Sequence, residues 1–165
     1  MHKTAEPPNA ATAGAQSRGT APGFVASGVR RVWRIEHPET GRGMYTHRPS
    51  TVHLVPTTAA EHPCPADDLR LSSTRARAGR GTYPEKWERF GFVDLDQLRR
   101  WMHRDEWFST LAQNGYVLAE VQVPAAHVCI GDTQCTYDSR EVLAVRRYPI
   151  LPEHPHLPPN MGDQP

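Results

Sequence analysis

Four short runs of strand-forming residues follow one another between positions 116 and 148, with only a few residues between them. They are 116–123 (YVLAEVQV), 127–130 (HVCI), 133–137 (TQCTY) and 141–148 (EVLAVRRY). A crossover between parallel strands needs about a dozen residues or more, whereas antiparallel neighbours can be joined by a tight turn. The connections here are too short for parallel crossovers, so the sequence predicts a mainly antiparallel sheet.

One principal helix is predicted ahead of these strands. Asp94 is a favourable N-cap, and Gln97 three residues later completes a capping-box pattern. Apolar side chains then recur at helical spacing as far as Asn114, with a break near Asp105. The apolar positions are Leu95, Leu98, Trp101, Met102, Trp107, Phe108 and Leu111.

The first strand is predicted at 30–36 (RRVWRIE), where Pro38 ends it. Its two faces hold Val32, Arg34 and Glu36 on one side, and Arg31, Trp33 and Ile35 on the other. A second short strand is predicted at 51–55. Residues 57–82 show little periodicity, which is typical of a long irregular loop. The predicted fold class is therefore α+β, with a small antiparallel sheet, one principal helix and this loop.

The two ends of the chain lack a pattern that would pack or pair. Residues 1–28 are rich in Ala, Gly, Pro, Ser and Thr, and residues 151–165 hold five prolines. We therefore expect disordered tails at 1–28 and 151–165 around a single α+β domain at 29–150.

The charge balance gives no support for nucleic acid as a partner. There are 19 basic and 18 acidic residues, a net charge of +1, whereas nucleic-acid-binding domains usually present a clearly basic face. A local basic loop is nevertheless predicted at Arg70, Arg75, Arg77 and Arg80.

Cysteine use and hydropathy indicate a cytoplasmic protein away from the membrane. Three cysteines without a secretory signal argue against a disulfide scaffold, and no run approaches the roughly 18 apolar residues of a membrane span. Cys129 and Cys135 fit buried thiols on neighbouring strands. The histidines and Cys64 lack the usual zinc spacings, so no metal is expected.

Residues 34–47 hold the first candidate site. Arg34 lies mid-strand, where its guanidinium either grips a phosphate in a two-pronged fashion or pairs with Glu36 on the same face. Gly41 and Gly43 either let a ligand approach the backbone, with amide N–H groups forming an anion-binding nest, or simply make a turn.

Gln134, Thr136 and Asp138 form a polar stripe on one face of a late strand. Such a stripe is usually the wet side of an antiparallel sheet. If it lines a cleft instead, Gln134 would orient a ribose or an amide.

Three segments together resemble small uncharacterised phage and prophage proteins: RIEHPETGRGMY, FGFVDLDQLRRW and GYVLAEVQVP…HVCIGDTQCTYD. This resemblance covers roughly residues 30–148 apart from the long loop, and it implies little about function. One expectation is an action on a host component during phage infection, with an unknown host protein or a nucleotide ligand as the partner.

A more distant resemblance is to ADP-ribosyltransferases, which have a strand bearing Arg or His, a glycine-rich turn, an aromatic residue, a helix and a later strand with a catalytic glutamate. It implies NAD as substrate and a nucleotide-handling domain. The catalytic set it implies is Arg34, His37, Gln134 and Glu141. The cofactor-binding set it implies is Arg34, Gly41, Gly43, Tyr45 and His47.

Gln134 stands where that family carries its glutamate, and a glutamine lacks the negative charge that stabilises an oxocarbenium-like transition state. Nucleotide binding without catalysis therefore stays open. Two other classes also stay open: a non-catalytic phage interaction or inhibitor protein, and a small metal-independent nuclease using Arg34, His37, His47 and the arginine loop.

Overall fold

A computed structural model describes residues 28–44 and 66–150. The elements in chain order are β1 (Val29–Glu36), α1 (Leu69–Arg77), β2 (Glu88–Gly91), α2 (Leu95–Trp101), α3 (Asp105–Gln113), β3 (Val117–Pro124), β4 (Val128–Ile130), β5 (Cys135–Asp138) and β6 (Ala144–Pro149). Short 3₁₀ turns at Ala125–His127 and Ser139–Glu141 follow β3 and β5. The strand predicted at 51–55 lies outside the described residues.

The strands form two three-stranded sheets, with orders β1-β3-β6 and β2-β5-β4. Every neighbouring pair is antiparallel, so the prediction of an α+β fold with antiparallel strands is confirmed. Trp33 and Phe92 join the sheets by exchanging two backbone hydrogen bonds, N–H to carbonyl oxygen, of 2.7 and 2.8 Å. The strands therefore form two sheets connected by this bridge, where the sequence predicted one sheet.

The predicted helix begins at its predicted cap. The Asp94 carboxylate accepts a hydrogen bond from the Gln97 N–H at 2.6 Å, and the Gln97 side-chain oxygen accepts one from the Val93 N–H at 2.9 Å. The helix ends at Trp101, with Met102 as its C-cap, and α3 starts at Asp105. The expected break near Asp105 is therefore present.

The expectation of a wholly irregular segment at 57–82 is wrong where that segment is described, because α1 lies within it. Asp68 caps this helix by accepting a hydrogen bond from the Leu71 N–H at 2.9 Å. Its buried side chains are Leu71 and Arg75. Since one of its two inward positions is an arginine, the helix shows no apolar periodicity in the sequence.

The alternation of β1 places it between two cores. Trp33 and Ile35 pack with Leu118 and the helices α2 and α3, where Trp107 and Phe108 are also buried. Val32 packs on the opposite face, in a second core with apolar side chains of β3 and β5. That second core holds Ala119, Val121, Val123, Cys135 and Tyr137. The sheet of β1, β3 and β6 is therefore covered by helices on one face and by the second sheet on the other.

Within the described ranges, no helix is long and apolar enough to cross a membrane.

Candidate functional site

Arg34 is buried beneath the loop that follows β1, with a residue exposure of 5%. Its Nη1 donates to the Phe90 carbonyl and its Nη2 to the Gly41 carbonyl, both at 3.1 Å. Its Nε lies 3.2 Å from Oε2 of Glu36, in ion-pair rather than hydrogen-bond geometry. Each of the three guanidinium nitrogens therefore faces an oxygen of the protein itself.

Glu36 is shared between two arginines. Besides Arg34, the partly exposed Arg147 of β6 donates to Glu36 Oε1 from Nε at 3.1 Å and from Nη2 at 2.9 Å. The predicted Arg34–Glu36 ion pair is thus present, but it is buried and has a third member. The three side chains tie the loop after β1 to the edge strand β6.

The loop from Pro38 to Gly43 is closed by its own backbone. The His37 N–H donates to the Arg42 carbonyl and the Gly41 N–H to the His37 carbonyl, each at 2.8 Å, while the Arg42 N–H donates to Thr40 Oγ1 at 3.3 Å. Gly41 has a φ of 62°, which favours glycine. These amide groups bond within the turn instead of converging on an outside anion.

Gly43 permits the close approach of this loop to Arg34. A Cβ atom at Gly43 would lie 2.9 Å from Arg34 Nη2 and 3.3 Å from its Cζ. Any side chain there would push the loop off the guanidinium. Arg34, Gly41 and Gly43, which were predicted to act together, do come together in space.

His37 lies at the entrance to the loop. Its ring meets the Tyr116 ring edge-on, with 5.8 Å between centroids. Its Nδ1 atom is buried and has no hydrogen-bond partner. Such an atom is uncommon in a folded protein, because a buried polar group without a partner costs about 1–3 kcal/mol.

The other predicted site residues lie elsewhere. Gln134 is buried directly before β5, and its carbonyl accepts a hydrogen bond from the Gly131 N–H at 2.8 Å. Glu141 is exposed in the 3₁₀ turn beyond the other end of β5. Tyr45 and His47 are outside the described residues.

The polar stripe along β5 does not face solvent. Gln134, Thr136 and Asp138 are 5%, 0% and 4% exposed. The expected solvent-facing stripe is wrong because α1 covers this face of the sheet, and Thr136 Oγ1 accepts a hydrogen bond from Arg75 of that helix at 3.0 Å.

A buried arginine–glutamate pair holds α1 against the second sheet, and sequence reasoning missed it. Arg75 Nη1 and Nη2 donate to the two carboxylate oxygens of Glu88 at 2.8 and 2.9 Å. The remaining N–H groups of Arg75 reach Thr136 and the carbonyls of Gly81 and Tyr83. All five N–H donors of this guanidinium therefore have an acceptor.

Arg80 adds a second cation to this pair, donating to Glu88 Oε1 at 2.6 Å. Burial alone would raise the pKa of the Glu88 carboxyl, but hydrogen bonds from Arg75, the Glu85 N–H and Arg80 outweigh it, so that pKa lies below its ordinary value. Two arginines of the predicted basic loop thus form hydrogen bonds with a buried carboxylate.

A second set of polar contacts fixes the turn that precedes β5. The Asp68 carboxylate accepts hydrogen bonds from the backbone N–H groups of Asp132 and Thr133 and from the Thr133 hydroxyl, at 2.8–3.2 Å. On the other side, the Gln97 side-chain amide donates to the carbonyls of Gly131 and Asp132. The cap of α1 and the first turn of α2 therefore position the turn that carries Gln134.

The two described cysteines are buried, as predicted, on the paired strands β4 and β5. Burial raises the pKa of both the Cys129 and the Cys135 thiol. A thiol held protonated in this way is a poor nucleophile.

Among the described residues, no group of three or more His, Cys, Asp or Glu side chains is arranged to hold a metal ion.

These features define a small antiparallel α+β domain in which two buried arginines, Arg34 and Arg75, each pair with a buried glutamate of the protein itself. A family model for the bacteriophage T4 Y00F protein matches residues 29–151, and the chain belongs to this bacteriophage protein family. No curated protein and no solved structure matches the chain. The predicted resemblance to phage proteins is therefore confirmed.

Proposed function

We propose that this domain is a non-catalytic phage interaction protein that binds and disables a component of the bacterial host. The observation that carries the proposal is the state of Arg34, the leading candidate for a ligand-binding or catalytic group. Each nitrogen of its guanidinium faces a protein oxygen, and the residue is 5% exposed. A residue used in this way stabilises a surface loop.

The loop and the late strand support the same conclusion. The amide groups of Gly41 and Arg42 bond within the turn, so they are not directed at a phosphate. Gln134 has no charge with which to stabilise a developing oxocarbenium ion. The arrangement favours a rigid surface that binds a partner, for which no catalytic group is required.

Stoichiometry separates this proposal from catalysis. A binding protein inactivates its target in proportion to the amount added, whereas an enzyme acts in trace amounts. We expect the full chain, added to a bacterial extract, to co-elute with one host protein in a near-equimolar complex on size exclusion. The affected host activity should be lost only as the added chain approaches the amount of its target.

The same extract, supplied with labelled NAD and labelled RNA, provides the control. The proposal predicts no transfer of label to protein and no RNA cleavage beyond that of extract alone. A product that accumulates with time at a trace amount of the chain would contradict it.

A second candidate function is NAD binding or ADP-ribosyl transfer, which a different observation favours. Arg34, Gly41 and Gly43 meet in one loop, and the buried Nδ1 of His37 beside them has no partner. A ligand hydroxyl or amide that bonded this nitrogen would relieve the cost of leaving it unpaired.

For this candidate, NAD should raise the thermal unfolding temperature of the full chain, and His37→Phe should abolish the rise. His103→Gln, which alters an exposed histidine, is the matched control and should keep it. An equal NAD response in the parent and the His37 variant, or no response in either, would reject His37 as a ligand contact.

A further inference from the structure

The strand β6 lies at the edge of the first sheet and is largely exposed. It pairs with β3 on one side, over Ala144–Pro149. In residues 28–44 and 66–150, no strand pairs with its outer side. Five of its six residues are exposed. An edge strand of this kind presents backbone N–H and C=O groups on which another strand can pair.

The other strand edges of the described domain are differently placed. The outer side of β1 is occupied at Trp33, which bonds Phe92, and at Glu36, which pairs with Gly43. The three-residue strand β4 lies beside α1, where Thr74 donates to the Ile130 carbonyl at 3.0 Å. The four-residue strand β2 lies against β1, and its Phe90 carbonyl accepts a hydrogen bond from Arg34 at 3.1 Å. The long accessible edge is therefore that of β6.

The charges of this sheet favour an acidic partner. Its two glutamates, Glu36 and Glu120, have side chains only 7% and 6% exposed. By contrast, Arg146 on β6 is an exposed residue, and the side chains of Arg31 and Arg147 are 47% and 44% exposed. The accessible charge along the sheet is positive, although the net charge of the chain is only +1.

Apolar side chains accompany the arginines. Leu143 and Val145 are 59% and 39% exposed at alternating positions, so they lie on the same face as Arg147. A strand added to this edge would contact an apolar side chain beside a cationic one.

We propose that the outer edge of β6 binds an extended, acidic segment of the partner protein by β-strand addition. The backbone of that segment would pair with β6, and adjacent acidic side chains would meet Arg146 and Arg147 on its two faces. A second copy of β6 is disfavoured as the occupant, since it would bring arginines near arginines. This inference rests on the proposed interaction function and specifies its surface.

The probe is a short fluorescein-labelled peptide in which two adjacent glutamates are flanked by valine and threonine, and its binding to the full chain is followed by fluorescence anisotropy. We expect it to bind, and we expect its lysine counterpart to fail. Arg146→Glu should weaken binding about tenfold or more, because attraction becomes repulsion. Arg100→Glu, an equal charge change at an exposed position on α2, should leave it unchanged.

A second control changes the backbone of the peptide and leaves the protein itself unaltered. Only every second residue of an added strand directs its N–H and C=O groups toward β6. Methylating the amide nitrogens of one alternate set in the peptide should abolish binding, while methylating the other set should have little effect. Equal thermal unfolding of the two charge variants checks that both are folded.

The proposal is overturned if the acidic and the basic peptide bind equally, if neither binds, or if both methylated sets behave alike. It is also overturned if a single-stranded oligonucleotide binds this surface while the acidic peptide does not. If the host complex forms equally well with Arg146→Glu, the edge proposal fails while the interaction function stands.

Discussion

Replacing Glu88 by alanine is expected to lower the free energy of unfolding by about 3–5 kcal/mol, because it leaves the fully buried Arg75 without its counter-charge. Arg75 is 0% exposed and donates two hydrogen bonds to this carboxylate. Urea denaturation of the parent and the variant measures the difference. The exposed Glu85, in the same segment, supplies the control, and Glu85→Ala should change stability by less than about 0.5 kcal/mol.

A double variant separates the charge effect from the loss of side-chain volume. Arg75→Met combined with Glu88→Leu removes both charges and keeps apolar bulk, so it should recover much of the stability lost by Glu88→Ala. A double variant no more stable than the single one would contradict the electrostatic explanation.

The pH dependence of the same stabilisation has a definite sign. The folded-state pKa of Glu88 lies below its ordinary value of 4.5, so the carboxylate contributes most above that pH. Its contribution is lost as the pH falls below 4.5 toward the depressed value. The stability difference between the parent and Glu88→Ala should therefore narrow in acid.

The elements that could be predicted from sequence are those in which local signals and burial agree. The cap at Asp94, the alternation of β1 and the closely spaced late strands were all predicted and are all present. In α2, β1 and β3, apolar side chains face a core at the period of the element.

The elements that were missed bury charged side chains where an apolar pattern would be expected. Helix α1 directs Arg75 inward, and the four-residue strand β2 begins with the buried Glu88. Each position by itself indicates an exposed surface, since arginine and glutamate are rarely buried without a partner. The pair is 13 residues apart in the chain, so only the fold reveals that each satisfies the other.

The candidate site was predictable only in part, for the same reason. That Arg34 would pair with Glu36 followed from their shared strand face, and the ion pair is present. The third member, Arg147, lies 111 residues from Glu36 in the chain. No local pattern indicates that this arginine completes the cluster, and the burial of the polar stripe on β5 likewise depends on a helix distant in sequence.

Gly91→Ala should destabilise the chain by about 2–3 kcal/mol, because the two sheets meet too closely for a methyl group at this position. A Cβ atom there would overlap Val32 Cγ1 and would lie 2.9 Å from the Trp33 carbonyl oxygen. That carbonyl accepts the Phe92 N–H in the bridge that joins the sheets, so it cannot move without breaking the bridge.

The matched control is Gly81→Ala, since the nearest atom to a Cβ at Gly81 is the Tyr83 carbonyl oxygen at 3.9 Å. This change should be neutral or slightly stabilising, because alanine restricts the unfolded chain more than glycine does. Adding Val32→Ala to Gly91→Ala removes the side-chain overlap but not the backbone one. The double variant should therefore regain only part of the stability lost in Gly91→Ala, and the cavity left in the second core reduces that gain further. If urea denaturation gives Gly91→Ala the same stability as Gly81→Ala, the two sheets do not approach each other at the Trp33–Phe92 bridge as closely as the structure shows.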